Sequence, residues 1–130
     1  MRKGVILVDD EAIIVLALAR ELAAALGPGF RVETALNARE ALELADELDA
    51  EGCGVGVVVS DWLMPGMKGD ELLAIMRRRY ADAALIMITG QAEDEAVERA
   101  VSEAGVLACV RKPWRGAELV ALVRAAATGA

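Results

Sequence analysis

The chain has 130 residues, the length of one domain, and is 56% hydrophobic with only 3% aromatic residues, which argues for an aliphatic core of Val, Leu, Ile and Ala and against disorder. Its net charge of −7 and its lack of histidine disfavour direct nucleic-acid contact and rule out a histidine triad, a phosphohistidine on this chain and a histidine-containing zinc site. Cys53 and Cys109 form no CxxC pair and read as reduced thiols of a cytoplasmic protein. No stretch has the pattern of a signal peptide or a membrane span.

Val5-Ile6-Leu7-Val8 predicts a first strand ending in Asp9-Asp10-Glu11. A helix follows from about Ala12 to Leu26. It is apolar around most of its circumference, so burial of most of it is expected, with a dimer face as the alternative. Gly27-Pro28-Gly29 stops it. Phe30 to Thr34 alternates apolar and charged residues, as an edge strand with one wet face would. Asn37 and Glu40 have capping-box spacing. Ala38, Ala41, Leu42, Ala45 and Leu48 then repeat at helical spacing, and a polar loop runs from Asp49 to Gly54.

Val57-Val58-Val59-Ser60 predicts a strand buried on both faces, with Asp61 where the run stops and Met64-Pro65-Gly66 forming a turn. The helix after it should bury Leu72, Leu73, Ile75 and Met76 and end in Arg77-Arg78-Arg79, read as a solvated end that favours the helix dipole. Leu85 to Ile88 is a fourth strand ending in Thr89-Gly90. The next helix opens with Glu93-Asp94-Glu95, should bury Ala96, Val97, Ala100, Val101 and Ala104, and ends at Gly105. Leu107 to Val110 is a fifth strand ending in Arg111-Lys112-Pro113. A last helix should bury Leu119, Leu122, Val123 and Ala126. One domain is expected over residues 1–127, with 128–130 as a tail.

Five strands alternating with five helices predict an α/β doubly wound parallel sheet, and the half-wet second strand favours the order 2-1-3-4-5. All strand ends then lie along one edge. The first brings Asp9 and Asp10, the third Asp61, the fourth Thr89 and the fifth Lys112. Three neighbouring carboxylates repel one another unless a cation relieves them, and oxygen donors without His or Cys suit magnesium, with manganese as the alternative. A carboxylate can attack phosphorus and form an acyl phosphate. Taken singly, Asp9 and Asp10 read as helix caps, Thr89 as a strand-end hydroxyl, Lys112 as a solvated charge and Asp61 as a turn former. The combination is the specific signal.

Over nearly its full length the chain resembles the receiver domains of bacterial two-component response regulators. The matching residues are Val5 to Glu11, Ser60 to Gly69, Ile88-Thr89-Gly90 and Arg111 to Trp114. The resemblance implies a flavodoxin-like receiver fold in which Asp61 is the phosphoacceptor. It implies that Asp10 binds magnesium directly and Asp9 mainly through water, with the main-chain carbonyl of Leu63 a further ligand. It also implies that Thr89 and Lys112 contact the phosphoryl group and that the bond before Pro113 is cis. The implied donor is a phosphohistidine on a sensor histidine kinase or phosphotransfer protein. The implied responsive surface is the fourth helix, fifth strand and fifth helix, about Glu93 to Ala127. It would face an output domain, a downstream protein or a second copy.

Three positions bear on tuning by the same resemblance. Where the family usually carries Tyr or Phe, three residues before the lysine, this chain has Cys109, so the usual threonine–aromatic switch is expected to be weakened or rerouted. Leu63 would shield the acyl phosphate from water and Gln91 would still orient one, giving a phosphoryl lifetime of minutes or longer. The Asp61-Trp62 and Lys112-Pro113-Trp114 pairs are similar to those of receivers ahead of enzymatic or kinase modules, and the Ala-rich end suggests an excised N-terminal domain rather than a stand-alone one.

Three rivals stand beside this reading. A phosphatase with an aspartyl-phosphate intermediate would carry an Asp two residues after the nucleophile, where Leu63 stands. A non-phosphorylated interaction module would have lost acceptor, metal or lysine residues. A dinucleotide-binding domain would need a Gly-rich loop after the first strand.

Overall fold

Runs of Val, Ile and Leu without polar alternation are stable only where both sheet faces are covered. The computed structural model describes residues 2–90, 94–112 and 116–129. Its elements are β1 (Lys3–Val8), α1 (Ala12–Leu26), β2 (Phe30–Ala35), α2 (Ala38–Ala50), β3 (Gly54–Asp61), α3 (Gly69–Arg79), β4 (Ala84–Thr89), α4 (Asp94–Arg99), a π-helical turn (Ala100–Ala104), β5 (Ala108–Arg111) and α5 (Gly116–Thr128). The five strands form one parallel sheet in the order β2-β1-β3-β4-β5, as the sequence pattern predicts. Registers pair Val8 with Ser60, Asp61 with Ile88 and Thr89 with Arg111, so the strand ends finish nearly level.

The core has two layers. Ile6, Val58, Leu85 and Met87 face α2, α3 and the π turn, packing with Ala41, Leu48, Leu73, Met76, Ala100 and Ala104. Val5, Leu7, Val59 and Ile86 face α1 and α5, packing with Val15, Leu22, Leu119 and Val123. Asn37 caps α2 by accepting from the Glu40 amide at 2.9 Å, and the Glu40 carboxylate reaches back to the Leu36 amide at 3.1 Å. That is a capping box displaced by one residue.

Several expectations are corrected. α1 is not mostly buried: Val15, Leu18 and Leu22 face the core, while Ile13 is 85% exposed and Leu16 56%. A helix lying on a sheet covers only a stripe, whatever its composition. Ile75, Leu122 and Ala126 are half-buried rather than inside. Val101 is 56% exposed because the wider π turn rotates it outward while keeping Ala100 and Ala104 inside. Leu107 precedes β5 and is exposed, although its amide already joins the ladder at Leu85 O, 2.7 Å away. Thr128 belongs to α5, its hydroxyl donating to Arg124 O, rather than to a tail. The Arg77 end of α3 is not simply solvated. Arg77 donates to Ala104 O, Gly105 O and Ala81 O at 2.7, 3.2 and 2.6 Å, clipping α3 to the end of the π turn. Glu93 and the side chain of Ala96 lie outside the described residues.

Gly69 is the tightest glycine near the strand ends. A Cβ there would meet Asp61 O at 2.2 Å and the Trp62 Cα at 2.9 Å. This close approach lets the Gly69 amide bond Trp62 O at 2.8 Å and fold α3 back over the end of β3. Gly69→Ala is therefore expected to cost about 1–3 kcal/mol of stability by overpacking. A denaturation midpoint equal to that of the native chain would contradict this.

Candidate functional site at the strand ends

β3 ends on Asp61, whose neighbour Trp62 continues the ladder by donating its amide to Ile88 O at 2.8 Å. β1 ends one residue before Asp9, whose Oδ1 accepts the Glu11 amide at 2.9 Å and so closes the turn that precedes α1. The expectation that these aspartates cap the helix is not met: Glu11 is the N-cap residue of α1, no side chain caps the helix, and Asp9 closes the turn ahead of it. One carboxylate oxygen from each of Asp9, Asp10 and Asp61 lies within 4.8 Å of the others. Asp9 and Asp61 are buried, and Asp10 is exposed.

Lys112 reaches in from the end of β5, where its amide bonds Thr89 O at 2.7 Å. Its ammonium donates to Asp61 Oδ2 at 3.1 Å and stands 4.0 Å from Asp9 Oδ2. Thr89 Oγ1 is buried without a hydrogen-bond partner among the described residues. A buried hydroxyl left unmet costs about 1–3 kcal/mol, so it is a group waiting for an acceptor or donor.

The charges set the chemistry. Burial pushes the Asp61 carboxyl above the usual carboxylate range, and Lys112 only partly opposes this. Burial likewise pushes Asp9 up, against its bond from Glu11, and the Asp61 charge adds to the rise. Burial, the largest single influence, disfavours the charge of Lys112, but its bond to Asp61 together with the charges of Asp61, Asp9 and Glu11 outweighs it and holds the ammonium above its ordinary pKa. One ammonium does not balance three carboxylates. The donor set is all oxygen and partly open to solvent through Asp10, so Asp9, Asp10 and Asp61 fit a hard divalent cation.

A family model described as the response regulator receiver domain matches residues 5–124. The chain belongs to this family. It is 35% identical over 122 residues to the hydrogenase transcriptional regulatory protein HoxA of Cupriavidus necator, covering 94% of this chain and 23% of HoxA. The chain thus spans about a quarter of that relative's length. The receiver domain of an HD domain-containing protein from Pseudomonas fluorescens Pf-5 superimposes with a TM-score of 0.81 at 26% identity, covering 99% of this chain and 97% of that one. A response regulator protein from Burkholderia pseudomallei, solved with a phosphorylated aspartic acid, calcium ion and citrate, gives a TM-score of 0.77 at 25% identity, covering 98% and 69%. No helix among the described residues is long and apolar enough to cross a membrane.

Not every residue singled out in the sequence meets the cluster. Cys109 pairs with Met87 across β5 and β4 and packs half-buried on the core, its thiol pKa raised by burial. The Leu63 side chain, two residues past Asp61, is 64% exposed. Gln91 and Pro113 lie outside the described residues. Two residues escaped the sequence reading. Asp70 reads as an ordinary helix-start acid, yet it is buried and accepts from the Trp62 indole and from Arg99. Arg99 carries no sequence signal, since nothing in its neighbourhood in the chain reveals a partner 29 residues earlier.

The raised carboxyls of this receiver have a pH consequence. A carboxyl whose folded pKa lies above its unfolded value binds protons more tightly when folded. Its stabilising contribution is present below the unfolded pKa and is lost as pH rises through the folded one. The metal-free protein is therefore expected to gain stability as pH falls from neutrality through the raised pKa values of Asp61 and Asp9, and Asp61→Asn should flatten that dependence. Urea midpoints at several pH values measure it; a native profile that falls over this interval would contradict it.

Proposed function

We propose that Asp61 is the phosphoacceptor of this receiver, taking a phosphoryl group from a phosphohistidine on a sensor histidine kinase or phosphotransfer protein. The observation that carries the reading is the buried Asp61 carboxylate held 3.1 Å from the Lys112 ammonium beside Asp9 and Asp10. An Asp61 oxygen attacks phosphorus. The new O–P bond forms as the P–N bond breaks, and that electron pair returns to the donor's imidazole nitrogen. Lys112 stays at hydrogen-bond range of the acceptor and offsets the arriving charge. Thr89 turns its unmet hydroxyl to a phosphoryl oxygen. Asp9, Asp10 and Asp61, with the Leu63 carbonyl, would hold magnesium, or manganese in its place, which when bound supplies charge neutralisation. With no histidine among these 130 residues, the donor lies outside this domain.

The phosphorylated aspartic acid in the structure of the Burkholderia pseudomallei relative supports an acyl phosphate on this fold. The Leu63 side chain, two residues past the acceptor, would shield the phosphoryl group from water, Gln91 would orient one, and a cis bond before Pro113 would aim Lys112. The domain catalyses its own phosphorylation and dephosphorylation and has no separate substrate to turn over, because a phosphatase would need an acid where Leu63 stands. Its product is a change of surface over α4, β5 and α5, presented in the cytoplasm to an output domain, a downstream protein or a second copy, without direct nucleic-acid or membrane contact.

Incubation with acetyl phosphate and magnesium should add one phosphoryl group to the intact mass. None should appear on Asp61→Ala or without the metal, and Lys112→Ala should react about 10²–10³-fold more slowly. Equal labelling of Asp61→Ala would overturn the assignment. The label should persist for minutes; decay within seconds would refute the shielding by Leu63. Cys109→Tyr should change affinity for the partner in at least one phosphorylation state. No change in either would remove this position from the switch.

A further inference from the structure

We propose that Trp62, Asp70 and Arg99 are positioning residues that carry the state of the Asp61 end of β3 to α4, an inference that rests on the acceptor reading above. Trp62 directly follows Asp61, and its backbone is tied on both sides, to Ile88 O and to the Gly69 amide, each at 2.8 Å. Its ring is 7% exposed, and Nε1 donates to Asp70 Oδ1 at 3.0 Å. Asp70, 6% exposed, accepts Arg99 Nε on its other oxygen at 3.1 Å. Lys68 Nζ stands 5.1 Å from the centre of the Trp62 ring, adding a cation–π contact.

Asp70 is thus a buried carboxylate with one partner from the acceptor segment and one from α4. A buried charge is held only while its partners stay, so Trp62 and Arg99 are linked through it. Arg99 is the last residue of α4, immediately ahead of the π turn. On the other side of that turn, Arg77 pins Ala104 O and Gly105 O to α3. Side-chain bonds to α3 thus hold the chain on both sides of the π turn, and π-bulges are sites where helices kink. The Arg77 clip is the fixed end. The Asp70–Arg99 bond is the end that reports on Trp62.

A phosphoryl group on Asp61 adds about −1.5 to −2 charge next to Trp62. Any shift of the indole weakens or tightens its bond to Asp70, and Arg99 answers, tilting residues 94–99 about the clip. This route does not pass through β5, where Cys109 stands without a ring to swing. It supplies a path for the rerouted switch, and linkage makes it reciprocal: a change at Arg99 alters how tightly the site holds a phosphoryl mimic.

The test uses beryllofluoride with magnesium as that mimic, on the full chain. Bound fluoride is followed by 19F NMR and amide hydrogen exchange over residues 94–104. In the native protein the mimic is expected to change exchange in this segment by fivefold or more. Arg99→Gln and Trp62→Phe should still take up the mimic at saturation but show less than a twofold change there, with affinity altered by about 5–150-fold. Arg99 is 45% exposed, so Arg99→Gln avoids the folding risk of Asp70→Asn. Native-like responses and affinities in both variants would overturn the relay while leaving the acceptor reading intact. Failure of the native protein to bind the mimic would overturn the acceptor reading and this inference with it.

Discussion

Three carboxylates gathered at the ends of two adjacent strands, with the Lys112 ammonium among them, set the terms for the rest of this domain. At about 5 Å and an effective dielectric constant of about 20, the carboxylates of Asp9 and Asp61 repel by about 3 kcal/mol. Burial of Asp9 and Asp61 adds to that cost. Only a surrounding structure that over-determines their positions can hold them there, and the parallel sheet does so. Strands β1 and β3 are adjacent in register, so Asp9 and Asp61 leave the ladder at nearly the same height.

The remaining elements make that arrangement rigid and legible to the surface. The return of α3 over β3 depends on the missing side chain of Gly69. Lys112 is placed by the bond of its own amide to Thr89 O, which ties the cation and the unmet hydroxyl to one another. The backbone of Trp62 is fixed to β4 and to α3, so the residue after the acceptor cannot move without disturbing both. A site loaded with unrelieved charge is thereby mounted on elements that lead outward to α4.

Much of this was legible in the sequence because it follows from short-range rules. The strand order came from the half-wet alternation of Phe30 to Thr34 against the unbroken apolar runs of β1 and β3, and the structure has that order. The gathering of Asp9, Asp10, Asp61 and Lys112 came from their places at strand ends, which a parallel sheet brings to one edge. What escaped depends on tertiary partners. The composition of α1 gave no sign that half of it would face solvent, because an apolar residue carries no label for the side that meets the sheet. The π turn after Arg99 keeps Ala100 and Ala104 buried while exposing Val101, a rotation invisible to 3.6-residue periodicity. Asp70 and Arg77 look like dipole-matched helix ends, and only the fold shows that one is buried and the other clasps three carbonyls.

Asp61 itself is proposed to carry the phosphoryl group as an acyl phosphate. Borohydride reduces an acyl phosphate to the alcohol, releasing phosphate and converting the aspartate to homoserine. Protein treated with acetyl phosphate and magnesium, reduced and digested, should yield homoserine at position 61 in the peptide that contains β3. Homoserine at Asp9 or Asp10 instead, or phosphate on a serine or threonine with Asp61 unchanged, would contradict the account.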